Sequence, residues 1–372
     1  MPYRTDIFRI AMAGPADLTG LTSLIEEGAL DPLHIVAILV KTEGNGGVND
    51  FTREYTCIAI ATTLAPYLRS TPVEVEHRVA IVVSGGTEGI LSPHAAIFAR
   101  VPTPAAFRQS NGRAVSKRLA IGIAATRDFL PHEIGRAPQI DATTAAVKAA
   151  MLNAGISSAE DVHWVQVKCP LLTADRVQAA RRAGHEPVTE TAYKSMAYSR
   201  GASALGVAVA MGEITAPVPD EAVLLDWSLS SGVASASAGI ELKNNIVIVL
   251  GNSEEATGDS IIAHAVMQDA IDVPAVIAAL SRVGGCAADG TMIDASRIIN
   301  VLAKADPAPD GMVRGWRHTM LDDTDISATR HARAAVGGVI AGVIGCPAIF
   351  VSGGAEHQGP PGGGPVAVIS RI

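Results

Sequence analysis

The sequence predicts an α+β fold built from three copies of one module. Three observations predict it. An apolar strand ending in lysine occurs three times. An arginine at the head of an Ala-rich helix follows each lysine, and an apolar strand running into serine follows each arginine. The copies recur at roughly 120–130 residues, a spacing that reads as an internal repeat. The 372 residues leave room for two or three domains or for one body of repeats. Only seven of them are lysines, so three at matching places form a pattern.

Each copy opens on an apolar strand: TDIFRIAMA at 5–13, KRLAIGIAA at 117–125 and NNIVIVLGN at 244–252. A helix-like stretch follows, clearest in TTAAVKAAMLNAG at 143–155. Next comes the strand that ends in Lys41, Lys168 or Lys304, then a loop rich in Gly, Asn and Pro. The helix after the loop carries Arg53, Arg200 or, in the third copy, Arg330, with Arg333 one turn along the same face. RVAIVVSGG then leads to Ser84, AVLLDWSLSSG to Ser231 and PAIFVSGG to Ser352. Arginine and serine are 31 residues apart in the first two copies and 22 in the third. Ser230 adjoins Ser231, but alternation along a strand sends it to the opposite face. HAAIFARV, NNIVIVLGN and GPVAVIS close the copies, so NNIVIVLGN serves both as the end of the second and the start of the third. The unit is strand–helix–strand–helix–strand–strand. The expected boundaries are 1–104, 112–250 and 251–372, with linkers near 102–113 and around 251–259.

Composition narrows the function. Hydrophobic residues make up 48% and aromatics 4%, which implies a closely packed aliphatic core. A net charge of −8 argues against a nucleic-acid surface, where clustered Lys and Arg meet phosphates. The N-terminus lacks the apolar core of a signal peptide. AAVGGVIAGVIGCPAIFV (334–351) approaches membrane length, but Gly345 and Pro347 interrupt it, so it reads as buried helix, turn and strand. Cys57, Cys169, Cys286 and Cys346 show no CxxC spacing and read as reduced, buried thiols of a cytoplasmic protein. No GxSxG, SxxK, HExxH or GxxxxGK[ST] motif is present.

If three such modules pack about a shared axis, their strand ends converge. Crowded ammonium groups then favour deprotonation, and a neutral lysine beside a serine hydroxyl is a competent general base. Arginine stays protonated and suits binding and polarising substrate oxygens. Backbone N–H groups in the SGG turns, Ser84–Gly85 and Ser352–Gly353, can face a developing oxyanion. The chemistry is that of a Ser–Lys hydrolase acting on a small, electron-rich ligand. Taken singly, each lysine could cap a strand and each arginine pair with a carboxylate; the triple recurrence favours the site. The loop GPPGGGP at 359–365 reads as a tight turn with inward carbonyls, suited to a hard cation such as Mg²⁺ or Ca²⁺ or to no ligand at all.

KTEGNGGVNDFTR, SGGTEG, VQVKCPLLTADR, YKSMAYSRGASALGVA, NVLAKA, MLDDTDI and SGGAEHQGPPGGGPVAVI together resemble the cyanuric acid hydrolase/barbiturase family over nearly the whole chain. The resemblance implies three similar domains around a central active site, a body likened to a triangular prism. It implies hydrolytic opening of a cyclic imide-type ring by a Ser–Lys pair, with no cofactor in catalysis and a homotetrameric assembly. It assigns Ser231 as nucleophile and Lys168 as its base. Arg53, Ser84, Gly85, Arg200, Lys41, Lys304, Ser352 and Gly353 would bind substrate, with Arg330 or Arg333. A structural metal would sit on carbonyls of Ala355, Gln358, Gly359, Pro360 and Gly363, with Asp306 as the carboxylate. The substrate would be cyanuric acid, a planar, threefold-symmetric ring; the alternatives are barbituric acid, which carries one CH₂ in place of an N–H, and a protein that binds a small anion without catalysis.

Overall fold

A computed structural model describes residues 2–104, 116–287, 290–292 and 294–372. The first unit runs β1 (Tyr3–Ala11), α1 (Thr19–Glu26), β2 (Ile35–Thr42), α2 (Phe51–Leu68), α3 (Pro72–Arg78), β3 (Ala80–Gly85) and β4 (His94–Pro102). The second repeats it with β5 (Arg118–Ala125), α4 (Ala137–Asn153), β6 (Val162–Pro170), α5 (Ala174–Arg182), α6 (Ala192–Met211), β7 (Ala234–Gly239) and β8 (Ile246–Ser253). A short strand, β9 (Ala256–Thr257), pairs with β1 and leads into the third unit. That unit holds β10 (Ser260–Met267), α7 (Val273–Arg282), β11 (Ile298–Ala305), the small hairpin β12 (Met312–Val313) and β13 (Trp316–Arg317), α8 (Ala328–Ile344), β14 (Phe350–Gly353) and β15 (Gly364–Arg371).

The three sheets share one topology. Their orders are β3-β2-β4-β1, β7-β6-β8-β5 and β14-β11-β15-β10. In each, the lysine-bearing strand lies parallel to the serine-bearing strand and antiparallel to the closing strand. Each lysine strand also shifts register at the same place, between Ile35 and Ala37, Val162 and Trp164, and Ile298 and Asn300. A bulge there resets which side chains face inward.

The sheets are buried on both faces, which is why their strands read as continuous apolar runs. One face of each packs on its own helices, giving three aliphatic cores. The other faces meet in a central cluster containing Ala37, Leu39, Val82 and Phe98 from the first sheet, Trp164 and Leu250 from the second, and Leu302, Phe350 and Ile369 from the third. This is a triangular prism with an apolar axis. Side chains alternate along a strand, so Lys41, Lys168 and Lys304 fall on the same inward face as Leu39, Trp164 and Leu302.

The helices have local stops and starts in the sequence. Asp50 caps α2 by accepting from Thr52 N, and Ser327 caps α8 by accepting from Arg330 N. α6 and α8 end on Gly212 and Gly345 in the left-handed conformation. The stretch 334–351 is thus the end of α8, a turn and the start of β14, and among the described residues no helix is long and apolar enough to cross a membrane.

Two readings of the chain change. NNIVIVLGN is only the closing strand of the second unit, and the third opens on its own strand β10, SIIAHAVM, which pairs with β15 along its whole length. A boundary at 250/251 therefore falls inside β8. The linker expected at 102–113 lies largely outside the described residues. All four cysteines are free; Cys169 and Cys286 are buried, and Cys57 and Cys346 only half-buried.

The central cluster is apolar and closely packed, so it should be sensitive to truncation. Phe98→Ala is expected to destabilise the protein by about 3–5 kcal/mol, read as a fall in the urea midpoint.

Candidate active site

At one end of the prism the apolar axis gives way to polar groups. Register explains how. Lys41 lies opposite Ser84, Lys168 opposite Ser237, and Lys304 opposite Ser352. All three lysines are buried. Lys41 Nζ donates to Ser84 Oγ at 3.1 Å, and Lys304 Nζ to Ser352 Oγ at 3.2 Å. The amines also cross between units: Lys168 Nζ donates to Val83 O at 3.0 Å, and Lys304 Nζ to Ala236 O at 2.9 Å. In both cases the acceptor precedes the neighbouring unit's serine. Burial, with Arg333 next in effect, holds Lys41 well below the usual lysine range. Burial and then Arg200 push Lys304 down to about 7.

The serine of the second corner is Ser237, not Ser231. Residues 220–230 form a short turn of helix and loop rather than a strand, and Ala222 and Val223 pack against α6. Ser231 lies ahead of β7 and is tied by its backbone to His357 O (2.9 Å) and by its hydroxyl to Val233 N (3.2 Å). Ser237, six residues on, lines the cavity together with Ser84 and Ser352. Its hydroxyl is buried and makes no hydrogen bond. Lys168 instead faces Glu241, with Nζ 3.2 Å from Oε1.

Arg53, Arg200 and Arg333 complete the lining, with Gly46, Gly85, Met196 and Gly353. Two of the arginines are clamped by a carboxylate from another unit. Arg200 Nε and Nη2 reach Glu356 at 2.7 and 2.5 Å. Arg333 Nε and Nη2 reach Glu88 at 2.8 and 2.5 Å. Burial opposes the charge on Glu88 and Glu356, yet both stay below the usual carboxylate range because of their arginines. Gly86 and Gly354, both at positive φ, back these guanidinium groups; a Cβ on either would come within 2.6 Å of guanidinium atoms. Arg330 also touches Glu88 (Nε–Oε1, 3.1 Å), but it is 39% exposed and lines only the wider outer opening, so Arg333 is the third arginine of the inner cavity.

Known proteins match the chain over nearly its whole length. A family model for an amidohydrolase ring-opening protein (Amido_AtzD_TrzD) matches residues 6–371. The chain belongs to the ring-opening amidohydrolase family. It is 60% identical to the cyanuric acid amidohydrolase of Bradyrhizobium diazoefficiens, over 98% of each chain, and 56% identical to that of Pseudomonas sp. strain ADP, over 99% of each. A solved cyanuric acid hydrolase structure superposes with a TM-score of 0.94 at 55% identity and full coverage of both chains. The cyanuric acid hydrolase of A. caulinodans gives 0.90 at 47%, covering 100% of this chain and 99% of that one.

In this ring-opening amidohydrolase the loop after β14 folds back on itself. Ala355 O and Pro360 O accept from Gln358 N and Gly363 N, both at 2.9 Å. The Gln358 side chain accepts from Ala236 N and donates to the carbonyls of Gly354 and Glu356, and Gly359 packs against Gly364. Asp306 is brought to this loop: its carboxylate accepts from Ala355 N at 3.2 Å and from Thr329 Oγ1 at 3.1 Å. Burial, and then Glu356, raise Asp306 to about 6. Among the described residues no group of three or more His, Cys, Asp or Glu could hold a metal. Any ion here would rest on Asp306 and carbonyls, a hard, all-oxygen donor set that fits Mg²⁺ or Ca²⁺.

A signal for the missed residues was present. Each serine begins the pattern S-x-G-x-E: Ser84 to Glu88, Ser237 to Glu241 and Ser352 to Glu356. Aligning on the glutamate would have selected Ser237.

Burial of Lys41 gives a pH prediction. Its folded value lies far below the unfolded value of about 10.4, so the unfolded chain binds the extra proton between the two. The penalty is complete below the folded value and is relieved as pH rises toward the unfolded one. Lys41→Met removes this penalty. The stability difference between variant and wild type, from urea unfolding, should move in the variant's favour as pH falls from 10 toward neutrality.

Proposed function

We propose that the chain opens cyanuric acid by hydrolysis, with Ser237 as nucleophile and Lys168 as its base. The observation that carries this reading is the convergence of three serines, each opposite a buried lysine, and three arginines on one small cavity with pseudo-threefold symmetry. Cyanuric acid has the same symmetry, with three carbonyls and three N–H groups, and its weak acidity suits a cationic lining. The names of the relatives support the same substrate.

Lys168, as base, takes the Ser237 proton while Oγ attacks a ring carbonyl carbon. The C–N bond breaks, and the leaving ring nitrogen receives the proton from Lys168. Water then cleaves the acyl-serine, giving carboxybiuret, which loses CO₂ to leave biuret. Ser84–Gly85 and Ser352–Gly353 hold the other two ring oxygens, assisted by Arg53, Arg200 and Arg333. Lys41 and Lys304 stay with their own serines and bind rather than react.

Supporting features lie around this centre. A structural Mg²⁺ or Ca²⁺ on Asp306 and the carbonyls of Ala355, Gln358, Gly359, Pro360 and Gly363 would stiffen the loop beside Ser352; it takes no part in the reaction. Phe51, Tyr55 and Ile58 form an exposed apolar stripe on α2, which fits a homotetramer. Four free cysteines fit a cytoplasmic location.

Ser237→Ala should lower kcat by about three orders of magnitude or more while calorimetric binding of cyanuric acid persists. Ser231→Ala should stay within a few-fold of wild type. Near-normal turnover by Ser237→Ala would reject the nucleophile, and turnover of barbituric acid without cyanuric acid would reject the substrate. For the loop, EDTA should lower Tm and added Mg²⁺ or Ca²⁺ restore it, with kcat at low temperature unchanged; no shift would reject the ion.

A further inference from the structure

The three corners are not equivalent, and the difference centres on Glu241. Glu88 of the first unit clamps Arg333 of the third, and Glu356 of the third clamps Arg200 of the second. Continuing the rotation, Glu241 of the second unit should clamp Arg53 of the first. It does not. Glu241 Oε1 sits 3.2 Å from Lys168 Nζ, while Oε2 is buried without a hydrogen bond. Arg53 Nε is likewise buried without an acceptor, its guanidinium held only at the far end by Gly47 O (2.8 Å) and Val48 O (3.5 Å). Gly239 shows the same displacement: where Gly86 and Gly354 back an arginine, Gly239 lies against the Glu241 carboxylate. A buried acceptor and a buried donor, both unmatched and meant for each other by symmetry, mark an arrangement with a second state.

We propose that Glu241 is the positioning residue that makes the second corner the reactive one, by holding Lys168 in the empty site and passing to Arg53 when the ring binds. This rests on Ser237 and Lys168 being the reacting pair. In the empty state the carboxylate holds the Lys168 amine and draws it away from Ser237, whose hydroxyl is left without a partner. Transfer to Arg53 would build the third arginine clamp, remove the counter-charge from Lys168 and free the amine for the hydroxyl it faces in register. Both cations already attract the carboxylate: although burial opposes its charge, Lys168 and then Arg53 hold Glu241 below the usual range. Two other groups bear on it, Arg176 from α5 and the Cys57 thiol of α2. The Cys57 and Cys169 thiols also lie within reach of the Lys168 charge. The other two corners cannot make this exchange, because their carboxylates are already committed to arginine.

The test is the pH dependence of Glu241→Gln. In wild type, the acidic limb of kcat/KM reports the empty enzyme and that of kcat the complex, so the former should lie at higher pH. Glutamine gives Lys168 no counter-charge, so the kcat/KM limb should fall and approach the kcat limb. The substrate's own ionisation is common to both enzymes. Glu88→Gln and Glu356→Gln should raise KM and leave the limb in place. A Glu241→Gln enzyme that binds cyanuric acid with an unmoved limb overturns the proposal, as does an equal shift in the other two variants. Should Glu241→Gln not fold, a wild-type crystal structure with a ring-shaped inhibitor decides. Glu241 on Arg53, with Lys168 Nζ on Ser237 Oγ, supports the exchange; Glu241 still on Lys168 overturns it. Turnover by Ser237→Ala would instead reject the reacting pair itself, whatever Glu241 does.

Discussion

Three lysines held inside an apolar prism are the constraint on which the rest of the structure depends. Burying one ammonium group in a protein interior costs on the order of several kcal/mol, and here three share an axis. The fold meets that cost by register. A lysine strand lies parallel to a serine strand, so a hydroxyl or carbonyl stands at each amine. Bonds from Lys168 to Val83 O and from Lys304 to Ala236 O then stitch one unit to the next. The same contacts that satisfy the amines therefore fix the relative placement of the sheets, and cohesion and site geometry cannot be varied independently.

Electrostatics adds a second layer. A cup lined only with lysine and arginine would repel itself. The three glutamates of the S-x-G-x-E turns relieve this, two by pairing with arginine and one by pairing with lysine. Because each glutamate comes from one unit and each arginine partner from another, charge balance depends on assembly of all three units. Two arginines have carboxylate partners, while burial drives Lys41 and Lys304, which lack a carboxylate of their own, toward the neutral form. Guanidinium groups thus line the cavity, and amines that favour the neutral form lie behind its serines.

Much of this could be read from the chain because the repeat leaves few alternatives. Lys41, Lys168 and Lys304 ended apolar runs at matching places, and the strand–helix–strand–helix–strand–strand unit followed from them. What failed did so for physical reasons. Residues 223–230 are as apolar as a strand, but Val223 packs against a helix, and periodicity cannot separate those two kinds of burial over so short a run. Equal arginine–serine spacing then lent Ser231 a false match, whereas the true separation, from Arg200 to Ser237, is longer because the second unit carries an extra loop. β10 was overlooked because the preceding strand seemed able to serve two units, which a one-to-one pairing of β10 with β15 forbids. Arg330 and Arg333 share a helix face and both reach Glu88, and only the depth of the cavity separates them.

Symmetry itself poses the remaining problem. A threefold ring in a threefold pocket offers three equal carbonyls to three similar hydroxyls, and a catalyst with three competing centres would gain nothing in a single turnover, since attack at one carbonyl already opens the ring. Binding and reaction also make opposed demands on a lysine–serine pair. A hydroxyl that accepts from its lysine is well placed to orient a ring oxygen, whereas a hydroxyl that attacks must be free to give up its proton. The fold repeats the backbone and the Lys, Ser, Glu and Arg set at every corner and varies the pairing at one. Ser84 and Ser352 accept from their lysines, and Ser237 does not. The asymmetry needs no change in architecture, only that one carboxylate face a lysine where the other two face arginine.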